Sequence, residues 1–171
     1  MTTETQKESR THNSGMGYAT AKELFVQMAL TQWNTSNQRV EKFFENLSEQ
    51  QFKTAVAPNV NTASWILCHL AATNDKLFPL LGIGDSLHPQ LFDMTGKNSM
   101  SKNELNNIWK NVTAELSEKF SAMNTEQWFE KHTTVSEEDF IKEPHRNKLN
   151  VLMSRTNHQF HHLGQLALLK K

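Results

Sequence analysis

The sequence predicts an all-α protein: a four-helix bundle with a long crossover connection and a disordered N-terminal tail. Three observations lead there. Only four prolines and six glycines occur in 171 residues, and they gather between long stretches of helix-forming residues. Apolar residues in those stretches recur at roughly helical intervals. No segment alternates convincingly at period two, so a sheet is not expected. A chain of this length can bury a substantial core, and one bundle domain over residues 18–171 is expected.

The first seventeen residues, "MTTETQKESRTHNSGMG", have little to bury and read as a flexible tail. The first long helix opens at Thr20 and Glu23, which have capping-box spacing. It carries Leu24, Met28, Val40, Phe43, Phe44 and Leu47 as its apolar set and fades near Asn46. A short helical turn and a loop follow, as far as Pro58. The second long helix is capped by Asn61 or Thr62 and holds Trp65, Ile66, Leu70, Leu77 and Phe78 in its stripe. It stops at "LGIGD".

Residues 83–100 form a long connection of the kind used for lids or crossovers. Ser101 and Glu104 form another capping box, opening a helix with Leu105, Ile108, Val112, Leu116 and Phe120 inward. "NTEQW" begins a short turn, and "TTVSEEDFIKEPHRN" reads as polar connection. The last helix runs from about Asn147 to the C-terminus, with Leu149, Leu152, Phe160, Leu163 and Ala167 as core candidates.

Charge and composition narrow the function classes. Eighteen basic and eighteen acidic residues cancel, which gives no electrostatic case for nucleic acid or an anionic membrane. No apolar run reaches bilayer length, and the N-terminus lacks the apolar core of a signal peptide. The single cysteine, Cys68, excludes an intrachain disulfide and fits a reducing compartment. A cytoplasmic location and a small-molecule partner are the expectations, with a homodimer compatible with a bundle. Neither a Walker loop, a dinucleotide glycine fingerprint nor a Ser-His-Asp arrangement is present.

The stretch "NHQFHHLGQL" holds three of the chain's eight histidines within five positions. Residues i and i+4 of a helix project from one face, so His158 and His162 share a face and Gln165 continues it. Such a pair suits a metal ion, and it suits an ordinary polar helix face as well. A third ligand would come from elsewhere. His69 in "SWILCHLAATND" is the candidate, although a core histidine bonded to a carbonyl would also sit there.

These two segments together resemble the DinB-like (YfiT-like) superfamily. Its members carry an apolar helix ending in His-Leu and, late in the chain, His-x-x-x-His-x-Gly-Gln. The likeness of architecture extends over about Thr20 to Lys171, and its specific part is the two motifs. It implies a bundle holding a divalent metal through His69, His158 and His162. Gly164 and Gln165 fall on the family's Gly-Gln, where a small residue would allow close helix packing and the glutamine would support a ligand. His161 stands where many members carry another residue, and a supporting or surface place is expected for it.

Three histidines leave a coordination position open, which is the geometry of a catalytic rather than a structural site. The resemblance implies a metal-dependent enzyme, either a small-thiol-dependent transferase using a low-molecular-weight thiol or a hydrolase. The alternative is a non-catalytic, stress-associated metal-binding or interaction module. It draws support from the missing His-Glu-x-x-His glutamate, since Gln159 and Phe160 follow His158. Zinc or nickel is the favoured ion, with iron and copper also suited to imidazole.

Around the site, Cys68 should point away from His69 as a buried apolar group, and Thr73 should continue the His69 face. Asn74 and Asp75 read as solvated. Arg155, three residues before His158, reads either as a surface charge or as a contact for an anionic substrate group. Trp33, Trp65, Trp109 and Trp128 lie in separate segments and read as core anchors.

Overall fold

The structure, a computed structural model, describes residues 19–58, 60–91 and 100–169. The expected tail, residues 1–17, lies outside the described residues, as do residues 92–99 of the crossover. Among the described residues the chain is helical, with no strands and two isolated β-bridges, Ala55 to Thr62 and Lys131 to Asn147.

Helix α1 (Ala21–Asn46) begins as the sequence predicts, with Thr20 and Glu23 each accepting a hydrogen bond from the other's backbone N–H. Ser48 and Gln51 cap α2 (Glu49–Lys53) in the same way. Thr62, not Asn61, caps α3 (Ala63–Asp75) through the Trp65 N–H. The second long helix then breaks at Lys76 into α3 and α4 (Leu77–Leu81), which ends at Gly82 with a left-handed φ of 66°. Pro79 has no N–H for the carbonyl of Asp75 four residues back, and Ser86 Oγ reaches that carbonyl at 3.5 Å instead.

Helix α5 (Lys102–Ala122) is capped by Ser101 and Glu104, and α6 (Thr125–Trp128) by Asn124 and Gln127. The polar segment after Trp128 is not all connection. It contains α7 (Glu137–Lys142), capped by Ser136 and carrying three acidic residues in its first turn, where the helix dipole favours them. Helix α8 (Lys148–Leu166) starts from Asn147 and passes into a 3₁₀ turn, Ala167–Leu169.

Two stacked core clusters give the topology. One joins Phe43 and Phe44 of α1, Ala63 and Ile66 of α3, Leu105 and Trp109 of α5, and Leu163 and Leu166 of α8. The other joins Val26 and Trp33 of α1, Leu77 of α4, Val112 and Phe120 of α5, and Leu149 and Leu152 of α8. Helices α1 and α8 therefore run one way, and α3 and α5 the other. The parallel pair α3 and α5 requires the long crossover, since the chain must return along the bundle between them. Each fully buried Leu or Phe contributes roughly 1.5–3 kcal/mol relative to exposure.

Not every predicted core residue is inside. Leu24 and Met28 are exposed, while Val26, Ala29 and Trp33 face the core. The buried set of α1 recurs every three to four residues from Val26, about half a turn away from Leu24, with apolar residues on both faces. Phe160 is only half-buried, beneath the Arg39 guanidinium at 5.3 Å, and Ala167 is exposed in the terminal turn. Trp33, Trp109 and Trp128 are core anchors as expected, and Trp65 is half-buried beside the site. Among the described residues no helix is long and apolar enough to cross a membrane.

Candidate metal centre

Antiparallel α3 and α8 bring His69 against His158 and His162. The Nε2 atom of His158 lies 3.2 Å from that of His69 and 3.1 Å from that of His162. The potential ligand atoms of all three lie within 4.8 Å of one another. Two nitrogens bound at ~2.0–2.1 Å in a tetrahedral zinc site stand roughly 3.3–3.4 Å apart, so the cluster can hold one ion with little adjustment. His162 is buried, and His69 and His158 are half-buried, which leaves one side open.

The tautomer of His162 is set locally. Gln165 Oε1 can only accept, so His162 Nδ1–H donates to it at 2.7 Å and Nε2 is left with a bare lone pair. Gln165 Nε2 in turn donates to His161 Nε2 at 3.4 Å. Both supporting candidates are therefore in the site's surroundings, with Gln165 touching a triad histidine and His161 touching Gln165. His69 stacks on Trp65, ring centroids 5.0 Å apart and planes 15° apart, which fixes its ring. His158 Nδ1 is buried without a hydrogen-bond partner among the described residues.

Burial keeps these imidazoles neutral. It pushes His158 down to about 4 from the ordinary 6.5, with the neighbouring histidines and Arg155 adding to the effect. His69 is lowered by burial, then by His162, Arg155 and Lys76. His162 is also lowered by burial, although its bond to Gln165 opposes the shift. A metal requires deprotonated nitrogens, so the set is ready for one at neutral pH. The charges acting on the triad are cationic, and among the described residues no carboxylate joins it.

Other predicted neighbours are placed differently. Cys68 is buried as expected, its thiol pushed up by burial. Thr73 is buried and donates to the Leu70 carbonyl at 3.0 Å. Asn74 and Asp75 are not solvated but fully buried. The last turn of α3 meets both α8 and the crossover, so each side chain has an internal partner. Asn74 Oδ1 accepts from Gln159 Nε2 at 2.7 Å, and the Asp75 carboxylate accepts from the Leu87 and His88 N–H groups at 2.8 and 3.1 Å.

Gln159 Oε1 also accepts a short bond from Ser36 Oγ, and Asn74 reaches Asn37 at 3.5 Å. This buried polar layer escaped the sequence reading, because only the fold brings its members together. Gly164 is exposed, and a Cβ there would meet nothing within 4 Å, so it serves no close helix packing.

A family model described as the DinB superfamily matches residues 32–166. The chain belongs to the DinB superfamily. That span takes in the later part of α1, the other three long helices of the bundle and the three histidines. The late His-x-x-x-His-x-Gly-Gln of the DinB-like pattern lies on α8, and the His-Leu of its earlier motif lies on α3. No curated protein matches the chain.

Proposed function

We propose that this DinB-superfamily protein is a metal-dependent enzyme whose ion is held by His69, His158 and His162. Small-thiol transfer and hydrolysis are the two reaction classes the site suits. The observation that carries the reading is the convergence of three neutral Nε2 atoms on one half-open point, with one tautomer set by Gln165. A divalent ion there, zinc or nickel by preference, would supply Lewis acidity to a bound water or thiol. His69 is held flat by Trp65, and His162 is held by Gln165, so two of the three nitrogens are oriented before any ligand arrives.

A second reading has its own support. Among the described residues only histidines join the cluster, and the charges acting on them are positive, so none of the described carboxylates stands ready to accept a proton. A non-catalytic metal-binding module would need none. In an enzyme, the proton must go to the substrate or be lost before the substrate binds.

Elemental analysis of untagged protein decides the first step. One ion per chain is expected, lost in His69→Ala and in the His158→Ala/His162→Ala double variant while the helical signal persists. A folded wild type that takes up no metal on reconstitution sinks the reading. Screening the loaded protein against thiol-transfer and ester panels then separates the classes. Turnover lost in His158→Ala supports the enzyme, and stoichiometric metal without turnover supports the module.

A further inference from the structure

Between α1 and α5 lies a groove of about 380 Å³, lined by none of the triad histidines. Two of its lining residues, Asn37 and Thr113, are buried, at 5% and 7% exposure. Asn37 ends the buried amide layer, its Oδ1 accepting from Asn74 Nδ2 at 3.5 Å. Its own Nδ2 has no acceptor among the described residues, yet it is not one of the sealed, unbonded atoms, so it opens into the groove. A buried amide normally finds acceptors for its N–H groups inside the protein. Thr113 is its complement. The one hydroxyl proton of Thr113 goes to the carbonyl of Trp109 or Lys110, at 2.8 and 3.2 Å, which leaves its oxygen free only to accept. Glu41, half-buried, and Lys110, exposed, line the same groove, and among the described residues neither forms an ion pair.

The groove therefore offers a buried donor, a buried acceptor, one anion and one cation. No aromatic side chain lines it, so the face of a sugar ring has nothing to stack on, and a single alanine is its only apolar residue. A ligand that uses all four groups carries both charges and a neutral polar end. We propose that the groove binds a small zwitterion, an α-amino acid with an amide side chain. Its ammonium faces Glu41 and its carboxylate faces Lys110, both as charge-assisted contacts. The side-chain carboxamide accepts from Asn37 Nδ2 and donates to Thr113 Oγ, since it holds an acceptor and a donor on one carbon. The site does not rest on the metal reading.

Titration of the full chain with L-glutamine, followed by NMR, tests the proposal. The side-chain amide signal of Asn37 is expected to shift saturably, with a Kd below about 1 mM. Glu41→Gln and Lys110→Gln, each with an unchanged helical signal and Tm, should weaken glutamine by about fivefold or more, as the loss of a partly exposed charge pair allows. Two analogues assign the charges. N-acetyl-L-glutamine has no ammonium, so Glu41→Gln should not weaken its binding. The α-amide of L-glutamine has no carboxylate, so Lys110→Gln should not weaken its binding. No saturable shift at Asn37 in wild type overturns the proposal, as does either variant binding glutamine as tightly as wild type.

Discussion

His158 and Gln159 are consecutive on α8, and they meet opposite fates. Gln159 turns inward and is bonded at both ends of its amide: Ser36 donates to its oxygen, and its nitrogen donates to Asn74. His158 sits at the edge, half-open, with its Nε2 facing two other imidazole nitrogens and its Nδ1 without a partner among the described residues. A polar group that is buried and satisfied specifies structure. A group that faces only other imidazole nitrogens contributes less to the fold than a fully packed amide, and it is suited to something added. Polarity on a helix face therefore does not distinguish structure from site; satisfaction of the hydrogen bonds does.

The contrast breaks first at Gln159. In Gln159→Leu the Asn74 side-chain oxygen loses its donor, and Ser36 keeps only its bond to the Trp33 carbonyl. A loss of about 2–3 kcal/mol is expected, from one or two buried groups left unbonded. His158→Ala in metal-free protein should cost far less. Chemical denaturation of both variants after chelation checks this. Equal losses would show that the histidines are as structural as the amide layer.

Acid sharpens the same difference. The His158 pKa of about 4 in the folded state lies below its ordinary 6.5. Between those values the unfolded chain binds a proton that the folded chain excludes, so stability rises with pH across the window and levels off above it. His69 and His162 shift in the same direction. Solvent on the open side makes the amplitude smaller than the full shift implies. The melting temperature of metal-free protein, followed from pH 4 to 8, should climb and then plateau, with a shallower climb in His158→Ala. A flat profile in wild type would contradict the burial of the triad.

The support of His162 ranks next. Gln165→Leu removes the acceptor that sets the His162 tautomer. Losing such a partner weakens metal affinity by about 10–100-fold. The lower end is expected here, since His69 and His158 remain in place, and a chelator-competition titration measures it. Stability without metal should barely change, unlike in Gln159→Leu.

How much of this was legible follows from how local each signal is. The capping boxes at Thr20 and Ser101 were readable because both partners lie within four residues. His158 and His162 were readable for the same reason, and His69 came within reach through the DinB-like motif. The Ser36–Gln159–Asn74 layer joins residues 123 and 85 positions apart, and no short-range pattern marks such a set. Asn74 and Asp75 looked solvated because a polar pair near a helix end normally is. The crossover's Leu87 and His88 N–H groups cover Asp75, and only the fold supplies them. Leu24 and Met28 misled because α1 is apolar on both sides at its start, so periodicity alone could not choose the inward face.

Gly164 gives the smallest effect and the cleanest separation of motif from packing. The family pattern places a glycine there, yet it is exposed in the last turn of α8, three residues before the 3₁₀ turn, with open space where a Cβ would stand. Its φ is not in the left-handed region, so alanine fits without strain. Helix propensity then favours alanine by about 0.5–1 kcal/mol. Gly164→Ala should raise the midpoint of denaturation while leaving metal content alone. If stability rises and metal affinity holds, the glycine serves neither packing nor the ion, and its place in the motif points to whatever approaches that exposed surface. If metal affinity falls, the backbone at Gly164 matters to how Gln165 holds His162, and the boundary between scaffold and site moves one residue back along α8.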